Sequence, residues 1–510
     1  MRRLLPFALS VFLAAGCGEE NGGYQPIPAV KLTVGEQGHT SAIILVESIF
    51  CDEVFVIADS DRQSPDSDRQ SPSADQIISG GVRAEDGRAV LTGLDPGTNY
   101  IAYGVGRKGD KVSEISTVRF STGVEAGFLY PYEQGRDGAP EFADITLCPG
   151  GGRPNGNDWF TVPSEWDKDR FAPHVSYSDS DGRHWLFEAF LSITGVDPDG
   201  KTFGINSNGA ASADKASWEN LIQYWVGEGG AFCALDEAIA EAASATGSVP
   251  PARYAVMMMP DPIQFARFSD KNSTTAYWGT LEGKLLDFSK ATDQVQALEW
   301  YIDRVRAEFA ARNFRYLELA GFYILSEELV AKPDGWNYDQ KRWDQILPPV
   351  GEYLDSCNEG LYWIPYLGAD GTDIWRTLGI TYAWLQPNYY WDASGSKPLN
   401  KTVQKIVQLG MGMELEFEYS MVEEVMKIPG IKGPDAQGNY SFTLGDVPSL
   451  RARFREYMTS IVESGLYGKA RIALYSGSNA LWQLATSSEN DDIAMYLELC
   501  RFISENPLRK

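Results

Sequence analysis

From residue 29 to about residue 122 the chain runs in short apolar–polar alternations broken by turn residues. "AVKLTV", "SAIILVES", "EVFVIAD", "RAVLTGL", "NYIAYGVGR" and "STVRFSTG" carry the period of two expected of half-buried strands. Beyond Thr122 the pattern changes. Eight apolar runs, at 143–150, 184–193, 253–260, 316–325, 361–368, 380–388, 412–419 and 470–477, alternate with stretches whose apolar residues recur every three or four positions. In "TDQVQALEWYIDRVRAEFAARNF" the residues Val295, Leu298, Ile302, Val305 and Phe309 fall on one helical face, with Thr292 or Asp293 as the expected cap. Further helices are expected at 214–227, 342–357, 399–409, 449–465 and 488–505. Eight strands interleaved with helices predict a (β/α)8 TIM-type barrel, longer than the usual ~250 residues through insertions. A doubly wound open sheet is the alternative, but no GxGxxG or GxxxxGK[ST] follows any strand.

The ends refine this picture. "MRRLLPFALSVFLAAGCGEE" has a basic start and an apolar run too short for a membrane span, as in a secretory signal. Its Ala14-Ala15-Gly16-Cys17 ending resembles a bacterial lipobox, with Cys17 as the lipidated residue, and the following acids resemble surface-export signals of some Gram-negative lipoproteins. "LTGLDPGTNYIAYGV" resembles the end of a fibronectin type III domain, with Tyr100 as its corner tyrosine over Leu94. The expected organisation is a signal peptide at 1–16, a tether at 17–28, a fibronectin type III-like β-sandwich at 29–123 and the α/β barrel at 124–510. "SDRQSPDSDRQSPS" is a near-perfect tandem copy of seven residues. Its lack of apolar side chains marks it as a loop without chemistry.

Charge and composition narrow the function. A net charge of −26 argues against binding nucleic acid through its phosphates. With histidine only at 39, 174 and 184, no histidine-based metal site is expected. Two DxDG stretches, Asp179–Gly182 and Asp197–Gly200, lack the full calcium-loop spacing and are expected to be turns. Neither His174 nor His184 has a place in a triad with Ser476. Cysteines 51, 148, 233, 357 and 500 show no CxxC spacing and are expected mostly as buried apolar side chains.

The candidate chemistry lies in carboxylates at strand ends. "LGMGMELEFEYS" places Glu414, Glu416 and Glu418 on one face of the seventh strand, with Met413, Leu415 and Phe417 on the other. In a barrel the acids face inward and rise to the mouth, where active sites form. "GFYILSEEL" ends the fourth strand with Glu327 and Glu328. Acids at the ends of the fourth and seventh strands are the layout of a large group of barrel glycosidases, whose chemistry needs two carboxyl groups. Glu327 is the candidate general acid/base and Glu416 the candidate nucleophile, with Glu414 as its neighbour or replacement. Glu418 is expected to stand aside, and Asp144 to be structural. For sugar binding the candidates are Glu188, Tyr323, Trp363, Tyr366, Gln386, Asn388 and Tyr389, because rings stack on sugar C–H faces while amides bond hydroxyls.

"GFYILSEE", "LYWIPYLGADG", "AWLQPNYYW" and "GMGMELEFE", in this order, resemble the bacterial domain-of-unknown-function family numbered 4855. The resemblance extends from about Phe142 to Ser476. It implies a barrel domain of exported bacterial proteins, often beside accessory β-domains, with a suspected glycan role. Ile324 stands where the family has tryptophan, and Glu188 where it tends to have aspartate. The expectation is a surface lipoprotein glycoside hydrolase, retaining by analogy, that needs no cofactor and meets a carbohydrate and, through its lipid, the outer membrane. A glycan-binding protein without turnover, or an adhesion module, are the alternatives. The sugar, its linkage, endo or exo attack, and oligomeric state have no signature in the sequence.

Overall fold

The computed structural model describes residues 27–509 except 39–40, 61–70, 95–97, 123–139, 151–165, 206–210, 251, 268–269, 330–341, 393–398, 430–445 and 478. The signal peptide, Cys17 and residues 61–70 of the tandem repeat therefore lie outside the described residues, as does all of the tether except Ile27 and Pro28.

The N-terminal part is a β-sandwich. Ala29–Gln37, Ser41–Ile49 and Arg88–Thr92 form one antiparallel sheet. The second is built on Glu53–Ser60 and Asn99–Lys108, with Ser116–Ser121 against the latter. All six expected strands are present. Their facing residues, including Leu32, Ile44, Val56, Leu91, Ala102 and Phe120, make a separate small core. Tyr100 is buried in it, its ring stacked on Phe120 at 5.5 Å, and Leu94 packs against the same core. A short helix, Ala74–Gly80, follows the repeat, capped by Ser73 and Gln76 in a capping box.

The rest of the chain closes into an eight-stranded parallel barrel. Its strands are β1 (Asp144–Pro149), β2 (Ala189–Ile193), β3 (Arg253–Met259), β4 (Leu317–Ile324), β5 (Gly360–Trp363), β6 (Tyr382–Leu385), β7 (Gly412–Glu416) and β8 (Ile472–Tyr475). Neighbours in sequence are neighbours in space, and β8 pairs with β1 to complete the ring. Every expected barrel strand is found, most of them shorter than the apolar run that announced it.

Long helices surround the barrel: α1 (Lys215–Trp225), α2 (Ala231–Thr246), α3 (Ala291–Arg312), α4 (Trp343–Ser356), α5 (Leu399–Leu409), α6 (Val447–Glu463) and α7 (Asn490–Ser504). The alanine-rich α2 was not foreseen. On α3 the expected cap is not used: Lys290 occupies the cap position, and Asp293 inside the first turn accepts from the Asp287 N–H and Lys284. Pairing registers fix which residues face inward. On β4 Phe322 packs against Tyr301 of α3, so Tyr323 points inside, and it aligns with Tyr362 of β5 and through it with Tyr382 of β6. Even-numbered residues therefore line the interior on β5, β6 and β7.

One glycine makes the β4 register possible. Ala255 pairs with Leu319 but Val256 with Gly321, so the ladder bulges at Ala320. Gly321 has φ +147°, and a Cβ there would lie 2.0 Å from the Gly360 carbonyl oxygen.

Candidate active site

β7 explains its own composition. Met413, Leu415 and Phe417 are buried toward the helices, with the Phe417 ring 4.9 Å from Phe454 of α6. Gly412, Glu414 and Glu416 take the inner face. Gly412 is small because Trp384 of β6 crosses the floor beside it, 2.4 Å from where a Cβ would stand. Below the acids, Phe142, Tyr362 and Trp384 plug the barrel with ring separations of 5.6–6.2 Å. Glu414 and Glu416 are 1% and 0% exposed.

Their partners differ. Glu416 Oε2 accepts from the Asn388 backbone N–H at 2.7 Å and from the Tyr457 hydroxyl of α6 at 2.8 Å. Asn388 holds a left-handed backbone with φ +55° to present that N–H, a conformation asparagine tolerates better than most residues. The Gln386 amide lies close enough to favour the Glu416 carboxylate as well. No described residue donates to Glu414 Oε2 or Glu416 Oε1. Burial raises Glu416 to about 8, against the pull of Tyr457, Asn388 and Gln386. Burial, then the charges of Glu416 and Glu327, pushes Glu414 well above the carboxylate range. Glu416 is thus the better holder of negative charge.

Glu327 follows β4 on the residue parity of Tyr323. It is exposed to solvent, yet surrounded by enough protein that desolvation raises its carboxyl, a combination that marks a concave surface. Its base is pinned. The Ser326 hydroxyl donates to Asp261 Oδ2 at 2.7 Å, and the Ser326 carbonyl accepts the Trp363 indole N–H at 2.8 Å. The charge of Glu327 acts on Glu414, Glu416 and Tyr323, so the acids from β4 and β7 converge at the C-terminal end of the barrel.

Other candidates sort by the same parity. Gln386 and Asn388 lie on the inner side beside Glu416. Tyr366 is half-buried at the rim, its hydroxyl donating to Glu328 Oε1 at 2.8 Å. Tyr323 is buried beneath Glu327 and Glu414. Trp363 is an outward residue with 0% exposure, so its ring is core and its N–H supports the Glu327 turn. Tyr389 turns to α6, bonding Glu456 and packing on Tyr457 at 5.6 Å. Glu188 is at the other end of the barrel. It precedes β2, accepts from the Ala143 N–H at 2.6 Å and lies 3.5 Å from Arg509, which also faces Asp144. Asp144 is structural there, as expected. Glu418 is half-buried just beyond the strand.

Two tyrosines at the site were not foreseen. Tyr475, at the C-terminal end of β8, pairs in register with Glu416 and sits in the field of Glu418, Glu414, Glu416 and Glu327. The strand-end rule applied to "ARIALYSG" would have found it. Tyr457 lies on a helix face that reads as ordinary core, and no sequence signal marks it.

The remaining motifs are structural. Asp179–Gly182 closes the hairpin of Ser176–Asp179 and Gly182–Trp185, and Asp197 Oδ1 accepts from the Lys201 N–H in a turn. His174 is buried against Trp166 and Thr146. All five described cysteines are free thiols; Cys148 and Cys500 are buried, the others half-buried.

No curated protein matches the chain. Among solved structures, the fn3 domain of human collagen alpha-1(XX) chain is 19% identical over 21% of this chain and 94% of its own, with a TM-score of 0.16. Chitinase ChiW from Paenibacillus sp. str. FPU-7, a cell-surface-expressed multi-modular enzyme, is 11% identical, with a TM-score of 0.33. That alignment covers 96% of this chain and 42% of the chitinase. The family model described as domain of unknown function DUF4855 matches residues 156–431. This span is narrower than the expected 142–476, leaving β1 and β8 outside, but it contains all four motifs that carried the resemblance. The chain belongs to the DUF4855 family.

Proposed function

We propose that the barrel is a glycoside hydrolase in which Glu327 is the general acid/base and Glu416 the nucleophile. The observation that carries this reading is the convergence of Glu327 and Glu416 at one barrel mouth, Glu416 held by donors and Glu327 open to solvent. In the reacting form Glu327 carries the proton and gives it to the glycosidic oxygen as the bond to the anomeric carbon breaks. The Glu416 carboxylate forms a bond to that carbon. Water then attacks the same carbon, loses a proton to Glu327 and releases Glu416, so configuration is retained. Donors aimed at Glu416 favour its charged form, and Tyr323 and Tyr475 wall the site.

Glu414 is not the nucleophile in this scheme, since it sits deeper and lacks those donors. Binding without turnover is less well supported. Trp363 and Tyr389, two of the candidate sugar contacts, are engaged elsewhere.

The same proposal places the protein outside the cell, lipid-anchored at Cys17 to the outer membrane and held away by the sandwich. The basic start, short apolar run and Ala14-Ala15-Gly16-Cys17 ending support it. Labelled fatty acid incorporated by the wild type and lost in Cys17→Ser is the expected result; equal labelling of both excludes the anchor.

The catalytic assignment is tested by reducing-end release from a polysaccharide panel. Glu327→Gln and Glu416→Gln each lose at least about a hundredfold in rate if the roles are right. Full activity in both variants, on a substrate the wild type cleaves, excludes them.

A further inference from the structure

Resting on the hydrolase reading, the acceptor atoms of the site say something about the sugar. Among the described residues, three buried oxygens on two adjacent strand ends have no donor: Glu414 Oε2, Glu416 Oε1 and Gln386 Oε1. Glu414 and Glu416 are more than nine-tenths buried and stand on the inner face of the barrel. Buried acceptors are ordinarily satisfied within the protein. Three left open side by side call for a donor-rich partner.

The surroundings add a sign. The charges acting on Glu414 are those of Glu416 and Glu327; those acting on Tyr475 are Glu418, Glu414, Glu416 and Glu327; those on Tyr323 are Glu327, Glu414 and Asp261. All are acids. Other buried acids are given cations, Asp492 by Arg451 and Asp144 by Arg509, or neutral donors, as Asp261 is by Ser326. Among the described residues no lysine or arginine does this for the acids of β7. A uronic or sulfated sugar would add a further negative charge. A neutral hydroxyl offers one donor and no compensation. An ammonium group offers three donors and a full positive charge.

We infer that the substrate is an amino sugar with a free amine, its ammonium seated against Glu414 and Glu416 beside Gln386. Glu414, the deeper acid without donors, is the residue that selects it. It is a specificity residue, distinct from the pair that breaks the bond.

The test is calorimetric binding to the Glu327→Gln protein, in about 150 mM salt to screen the general acidity of the surface. The probes are glucosamine tetramer, N-acetylglucosamine tetramer and glucose tetramer. The amine tetramer is expected to bind at least about tenfold tighter than either other. That preference falls below about threefold when Glu414→Gln or Gln386→Leu is added. Equal affinities overturn the inference. So does a preference that survives both substitutions, because the attraction then comes from the overall charge. Hydrolysis by the wild type is read separately. Cleavage confined to the acetylated or neutral tetramer overturns the amine preference and leaves the hydrolase intact. Selective binding of the amine tetramer without cleavage by the wild type overturns the hydrolase alone.

Discussion

Glu414 and Glu416 are two residues apart on one strand face and differ in what donates to them, and that difference has measurable consequences. Tyr457→Phe removes a hydroxyl that stabilises the Glu416 carboxylate. The Glu416 pKa then rises above its value of about 8. The ascending limb of kcat/KM should move up by about one pH unit, with about a tenfold loss of rate near neutrality. A limb that stays in place removes Tyr457 from the site. Glu414 bears on stability. Its folded pKa lies well above the unfolded value of 4.5, so above pH 4.5 the folded state retains a proton that the unfolded chain gives up. Stability is full below that value and falls as pH rises, by up to about 1.4 kcal/mol per pH unit for each such group. Glu414→Gln removes this penalty. Urea denaturation should show it more stable than wild type at pH 8 and nearly equal at pH 4. The same gain at both pH values contradicts the account. At this scale the strand alternation made the β7 acids legible. On β5 the alternation selects even-numbered residues, so Trp363 turns into the core, while the Tyr389 ring, beyond the end of β6, meets α6. Tyr457 was invisible because the pairing of a helix residue with a strand-end acid depends on tertiary packing.

Single backbone positions decide how the elements fit. The bulge at Ala320 and the conformation of Gly321 set the parity that sends Tyr323, and after it Glu327, to the inside. Gly321→Ala puts a methyl group into the Gly360 backbone and forces a φ that only glycine adopts readily. It should cost about 3 kcal/mol or more, read as a lowered melting temperature. A neutral effect means β4 is not bulged there. Strand and helix positions were well marked by periodicity, since buried parallel strands are continuous apolar runs and their helices are amphipathic. Helix α2 was missed because its inner face is partly alanine, which packs like core but contributes little to an apolar pattern. The cap of α3 was misplaced because Asp293 satisfies the Asp287 N–H rather than the start of its own helix.

At the scale of the whole molecule, two side-chain hydrogen bonds are seen between the sandwich and the barrel among the described residues. The Asn99 side chain donates to the Arg376 carbonyl and the Ser121 hydroxyl to the Asp373 carbonyl. Two such bonds contribute about 1 kcal/mol each, too little to couple the unfolding of a sandwich and a barrel. Calorimetry should therefore resolve two transitions; one cooperative transition means the units fold as one body. The order of domains was legible because strand-only and strand–helix patterns meet near Thr122. What the barrel acts on was not, since fold leaves function open and the site depends on a handful of side chains. Glu327 and Glu416 are proposed to cleave a glycosidic bond. The most direct measurement is reducing-end release by the protein lacking residues 1–23, beside its Glu416→Gln variant, on a broad polysaccharide panel. Hydrolysis of at least one glycan by the first, and at least about a hundredfold less by the second, is the expected result. A glycan cleaved equally well by both proteins would contradict it.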